Sequence, residues 1–328
     1  MSVFRNILVY AEAADADCLA EVVTFAEQSG AALSVCDVIA PAPTFDGGGA
    51  VARLKALDWS LSFERLRGLC APHQGRVPLD YAVLTGNPFL AVTEQVTRQG
   101  FDLVVHISET TADGPGAALN PTGMHLVRKC PAAVWTLHPD RAEHSDSLLL
   151  AIDREVTADS AAAERFAREL AATACDLAAA RGATLHLVHA WQPYGEALLD
   201  HPRAGFSPAE VDSYLTAQEK DHGAWFGRLV NDAGTRAPAV SLERHLERGS
   251  PVEVIPAMAR KTRASLVVLG TVGTSALPGV LIGTTAEAIL AAAETPILAI
   301  KPRGFTTPIQ FADPVEKLRA VSEGGTAP

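Results

Sequence analysis

Basic residues are the scarce class of charge in this 328-residue chain: 27 Lys and Arg stand against 38 Asp and Glu, a formal net charge of −11. A surface of that sign repels phosphate backbones and anionic headgroups, which argues against nonspecific attraction to nucleic acid or an acidic membrane. Aromatics are also sparse, at 6%, while alanine, valine and leucine abound. Small aliphatic side chains favour helices packed closely on buried parallel strands over an all-β sandwich. Long hydrophobic runs are missing too. No apolar stretch reaches the roughly 20 residues of a membrane helix. The opening MSVFRNILVYAEA passes quickly into a strand-like run without the long apolar core and cleavage site of a signal peptide. The expectation is a soluble, cytoplasmic protein without membrane insertion or a nucleic-acid partner.

Paired cysteine motifs are absent as well. Cys18, Cys36, Cys70, Cys130 and Cys175 show no C-x-x-C spacing, and an odd number cannot complete a disulfide framework, so they read as reduced core residues. Neither G-x-S-x-G nor H-E-x-x-H occurs, and no catalytic residue is assigned. Ten histidines are present, but Asp200-His201, Asp221-His222 and His245 match no zinc spacing. They read as dispersed surface or capping groups, and no metal site is assigned. His186 and His189 alternate along a strand-like run; for His189, ligand contact and partial burial in the sheet are equal readings.

What is present is repetition. The segments NILVYAE at Asn6 and SLLLAID at Ser147, GAALS at Gly30 and GATLH at Gly182, GNPF at Gly86 and GSPV at Gly249, DLVV at Asp102 and SLVV at Ser265, and finally CPAAVWTL at Cys130 and TPILAIKP at Thr295 recur in one order. Self-similarity at this period predicts two copies of one domain. In the second copy, apolar runs alternate with helix-period segments, the first of which stops at Gly182. That pattern predicts five short parallel strands with helices on both faces. The polar segment from His138 to Asp146 marks the join, giving domains over 1–141 and 142–305 and a tail over 306–328.

Glycine carries the functional signal. Gly270 ends the strand SLVVL, where ligands collect in open parallel sheets. Gly273 follows closely, allowing backbone amides to approach a ligand. Gly283-Thr284 then opens the helix TTAEAIL, whose first amides and positive dipole end suit an anion, with the Thr284 and Thr285 hydroxyls beside them. The resulting cradle uses backbone rather than lysine, and a nucleotide phosphate is the expected occupant.

The spacing G-x-x-G-x9-G-T formed by Gly270, Gly273, Gly283 and Thr284 resembles the nucleotide loop of the universal stress protein family. The resemblance covers both halves, from about Asn6 to Pro302. It implies two tandem Rossmann-like domains, each a five-stranded parallel sheet with helices on both faces, and ATP in the second. Carried over residue by residue, it implies that Asp153 meets the adenosine moiety, that Ala151 is an adjacent backbone contact and that Ala190 lies against adenine. Leu269, Gly270, Gly273, Gly283, Thr284 and Thr285 would surround the ribose and phosphates. Mg²⁺ would be held largely by phosphate and water. Thr274 departs from the basic residue the family often carries after the second glycine.

The first copy has lost the pattern: Ile107 and Thr110 stand where Gly270 and Gly273 do, and Glu12 replaces Asp153. ATP binding is therefore not expected there. The resemblance also implies an internal pseudo-dimer in which AAVWTL and PILAIK lie together across a pseudo-twofold, leaving open association with a second chain. The leading functional expectation is a stress-response, nucleotide-binding regulator or adaptor. The alternatives are a slow ATPase, with at most weak hydrolysis, and a scaffold for another small molecule or metal.

Overall fold

The computed structural model describes residues 4–13, 15–41, 48–108, 119–138, 146–154, 160–199, 201–271 and 282–311. The first half runs β1 (Asn6–Ala11), α1 (Ala16–Ser29), β2 (Ala32–Ile39), α2 (Gly48–Cys70), β3 (Leu79–Thr85), α3 (Pro88–Gln99), β4 (Leu103–Ile107), α4 (Pro121–Lys129) and β5 (Ala133–Leu137). The second runs β6 (Ser147–Ala151), α5 (Ser160–Arg181), β7 (Thr184–Trp191), a single turn α6 (Glu196–Leu199), α7 (Pro208–Arg236), β8 (Leu242–Arg248), α8 (Pro251–Lys261), β9 (Leu266–Gly270), α9 (Thr284–Ala292) and β10 (Ile297–Ile300). The glycine-rich run at 45–50 reads as a loop in the sequence, yet Gly48 begins α2; residues 45–47 lie outside the described residues.

Matched glycines make matched turns. Gly30 and Gly182 both sit at φ +64°, each turning the chain from a helix into the next strand. This left-handed conformation is open to glycine without a Cβ clash, so the repeated G-A-x-L is a structural repeat and not only a textual one.

The two five-stranded sheets expected from the sequence are continuous, with AAVWTL and PILAIK side by side as expected, and form one ten-stranded sheet in the order β3-β2-β1-β4-β5-β10-β9-β6-β7-β8. Read inward from either edge, the halves have the same order. Pairing is parallel throughout except at the centre, where β10 runs antiparallel to β5 with Leu298 opposite Trp135 and Ala299 opposite Val134. Two edges that would otherwise present unpaired backbone thus satisfy each other within one chain. Side chains seal the seam: Thr136 Oγ1 accepts from Ile297 N–H at 3.2 Å, and Lys301 Nζ donates to Ala132 O at 3.2 Å.

Strand alternation sends neighbouring residues to opposite faces. One face buries Val105, Trp135, Val268 and Leu298 against α1, α5 and α7, and the other buries Val104, Val134, Val267 and Ala299 against α8 and α9. Both cores therefore contain residues of both halves. All five cysteines are free and buried. Burial lifts their thiols, Cys70 and Cys175 to about 11, which keeps them protonated and inert. Among the described residues, no helix is long and apolar enough to cross a membrane.

Candidate functional site

From β6 the chain steps outward to β7 and β8, then returns to place β9 on its other side. This reversal makes a crevice beyond the carboxyl ends of β6 and β9, the usual ligand position in an open α/β sheet. Ala151 pairs with Leu269 at the end of the two strands. A cleft of about 250 Å³ opens above them, bounded by α5 and α9. Ala151, Asp153, Ala190, Leu269, Gly270, Gly283, Thr284 and Thr285 all line it, so the structure brings together eight of the nine residues singled out by the sequence. Gly273 lies outside the described residues. Phe166, Leu170, Ile255 and Ile289 add an apolar wall that the glycine motif does not signal. Asp153 is the one ionisable side chain among the described lining residues.

The two described glycines of the motif have different physical reasons. A Cβ on Gly270 would stand 2.8 Å from Phe166 Cε1 and 3.2 Å from Leu170 Cδ1, so this glycine admits α5 against the strand end. At Gly283 the φ is −71° and the nearest atom to an added Cβ, among the described residues, is Thr271 O at 3.7 Å. The described residues would accept a methyl group there. The Gly283 amide, read from sequence as part of an open helix mouth, donates to Thr271 O at 2.8 Å. The first helical bond of α9 is Glu287 N–H to Gly283 O at 2.9 Å. Thr284, Thr285 and Ala286 thus contribute the N1 to N3 amides, and their N-cap, Gly283, has no side chain to cap them. A positive helix end facing a cleft favours an anion.

The neighbours of Asp153 are tied to α7. The Ile152 amide donates to Val188 O at 3.0 Å, and the Ile152 carbonyl accepts from His189 Nδ1 at 3.1 Å. That bond fixes the His189 tautomer, leaving Nε2 to accept from His222 Nδ1 at 2.8 Å. Burial lowers the His189 pKa to about 4, so the ring is neutral at neutral pH. It is fully buried among His222, Trp225 and Phe226, which decides for the sheet-packing reading over ligand contact. Arg154 pairs with Asp221. Asp221 and His222, which match no zinc spacing in the sequence, anchor the strand end beside the cleft.

The first half fills the corresponding place with its own side chains. Asn120 caps α4 by accepting from Gly123 N–H at 2.8 Å and donates through Nδ2 to Glu12 Oε2 at 2.7 Å. Glu12 also meets His106 Nε2 at 2.8 Å, and His106, fully buried, stacks on Tyr10. The bond to His106 and then that to Asn120 hold the Glu12 carboxyl below the ordinary range despite burial. Here the chain supplies its own anion and its own cap. Ile107 is fully buried where Gly270 stands in the other half, while Thr110 lies outside the described residues. Arg128, in the last turn of α4, reaches Glu287 of α9 in the other half.

Residues 145–301 match the model of the universal stress protein family. The chain is 29% identical over 244 residues to universal stress protein E of Escherichia coli K12, covering 72% of each chain. It is 29% identical over 226 residues to the universal stress protein E homolog of Haemophilus influenzae, covering 68% of this chain and 69% of the relative. Among solved structures, a universal stress protein from Archaeoglobus fulgidus superposes with a TM-score of 0.58 at 12% identity, covering 92% of this chain and 99% of that one. A protein of unknown function from Pseudomonas aeruginosa PAO1 gives 0.57 at 21% identity, covering 91% and 93%. These likenesses support the α/β fold.

Proposed function

Residues 145–301 belong to the universal stress protein family, and from that premise we propose that the cleft of the second half binds an adenine nucleotide, ATP. In this reading the chain is a tandem of two universal stress protein domains, 1–141 and 142–305, followed by a tail over 306–328. It acts in the cytoplasm as a stress-response regulator. Ala190 lies against the base, Asp153 meets the adenosine moiety and Ala151 is an adjacent backbone contact. Leu269, Gly270, Gly273, Gly283, Thr284 and Thr285 surround ribose and phosphates, with Mg²⁺ held mainly by phosphate oxygens and water.

The observation that carries the reading is the amino end of α9, whose N-cap is the side-chain-free Gly283, opening on an apolar cleft whose rim holds Asp153. Anion, apolar base and ribose hydroxyls each have a matching surface there. Regulation is favoured over catalysis because a hydrolase needs a base near the phosphates, and Asp153 is at the adenosine end of this arrangement. The first half, with Glu12 and Asn120 in the corresponding place, takes no nucleotide.

Equilibrium dialysis of the full chain against labelled ATP tests the proposal. One nucleotide per chain is expected, with phosphate release negligible over the time of binding. No retained nucleotide rejects the reading, and two per chain reject the asymmetry between the halves.

A further inference from the structure

β8 is the outer edge of the second half of the sheet, and its register against β7 sets His186 opposite Glu243 and Val188 opposite His245. Residues two apart on a strand share a face, so Glu243 and His245 project beside His186, which occupies the matching face of β7. Their polar atoms converge: His186 Nδ1 lies 3.0 Å from His245 Nε2 and 3.3 Å from Glu243 Oε2, and His245 Nε2 lies 3.8 Å from the same oxygen. We propose that His186, Glu243 and His245 form a site for a divalent transition-metal ion, with zinc the preferred occupant.

Four donors placed tetrahedrally around zinc at a bond length near 2.05 Å are separated by about 3.3 Å. The three distances here bracket that value. Hydrogen bonding alone accounts for the cluster poorly. His186 Nδ1 faces both an imidazole nitrogen and a carboxylate oxygen, and a neutral imidazole nitrogen carries one proton or one lone pair but not both. A single N–H serves one neighbour well, whereas a cation at the centre satisfies all three donors at once.

Two imidazoles and a carboxylate suit zinc and its first-row neighbours and are a poor match for magnesium or calcium, which prefer oxygen. The His186 and His245 side chains are 10% and 18% exposed and that of Glu243 is 55% exposed. The protein side of the site is therefore firm and the outer side is open to water as a fourth ligand. This places the site on rigid strands across the last pairing of the sheet, away from the nucleotide cleft and independent of what that cleft binds.

The test uses the full-length chain, stripped with a chelator and free of nucleotide. Zn²⁺ is titrated in competition with a chromophoric chelator, and Co²⁺ is followed by visible absorption. The parent chain should take up one ion at this site. His245→Ala should abolish that uptake, and Glu243→Gln should weaken it by more than about tenfold, the loss that even an outer-shell partner produces. Glu243 is largely exposed, so Glu243→Gln retains the fold, checked by an unchanged metal-free unfolding midpoint. No uptake by the parent chain, or affinity equal to the parent's in either variant, overturns the assignment.

Discussion

Gly270 lies against Phe166 so closely that a Cβ on the glycine would stand 2.8 Å from the ring. A Cβ on Gly283, its partner in the same sequence motif, would meet nothing nearer among the described residues than Thr271 O at 3.7 Å. One glycine thus serves the packing of α5 on β9, whereas the other has no such packing contact among the described residues. Gly270→Ala is expected to destabilise the chain by about 1–3 kcal/mol through overpacking, with partial recovery when Phe166 is reduced to Leu. Gly283→Ala is expected to change stability by less than about 1 kcal/mol while weakening ATP retention about tenfold. Urea unfolding and dialysis on the same preparations separate the two effects. A Gly283→Ala chain that retains ATP like the parent removes Gly283 from the phosphate cradle.

That contrast marks how far the sequence could be read. The β-α alternation was legible because buried strands write themselves as apolar runs and helices end at glycines such as Gly30 and Gly182. The cleft was legible because its glycines, its threonines and Asp153 lie at strand and helix ends, where local order fixes position. Phe166 and Leu170 were not, since a core helix residue reads alike whether it faces a cleft or a strand. His186, Glu243 and His245 escaped for a different reason: strand pairing, which no short spacing encodes, brings them together. The meeting of β5 and β10, segments far apart in the chain, was expected from the family resemblance alone and not from any local pattern.

Asn120 makes the first half self-sufficient. Its side chain caps α4 and holds Glu12, so Asn120→Ala is expected to cost about 1 kcal/mol of stability as a lost N-cap. The same variant should still retain one ATP per chain, because Glu12, His106 and the buried Ile107 remain. Thermal unfolding and nucleotide stoichiometry measure both. A second bound nucleotide in Asn120→Ala would mean that the cap alone closes the first half.

His189 sets a pH dependence whose sign follows from its burial. Its folded pKa, about 4, lies below the ordinary value near 6.5. Its contribution is therefore complete above pH 6.5 and is lost as pH falls toward 4, because the unfolded chain takes up the proton first. Between pH 7.5 and 5 the loss is about 2 kcal/mol from this ring alone. His222 and His186, also lowered by burial, act in the same direction. Urea midpoints across this range should fall with pH, and His189→Gln should flatten the fall while lowering stability at pH 7.5. A parent chain equally stable at pH 5 and 7.5 would contradict the neutral, buried His189.

The seam between the halves predicts how the chain unfolds. Trp135 is almost fully buried on β5, opposite Leu298 of β10. Phe25 meets its ring edge-on, and the Arg181 guanidinium of the other half lies 5.0 Å from its centroid. Arg181 is itself held by Glu21 at 3.2 Å. Packing that crosses the halves on both faces of the sheet couples them, so far-ultraviolet circular dichroism and tryptophan fluorescence should follow one coincident transition. Trp135→Ala is expected to cost about 3–5 kcal/mol. Because the ring sits at the seam, the same change should split the transition, the halves then losing structure at different urea concentrations. Two well-separated transitions in the parent chain would show that β5 and β10 merely touch. A Trp135→Ala chain that still unfolds in one step would assign the coupling to the backbone pairing of the two strands and the Thr136 and Lys301 bonds beside it.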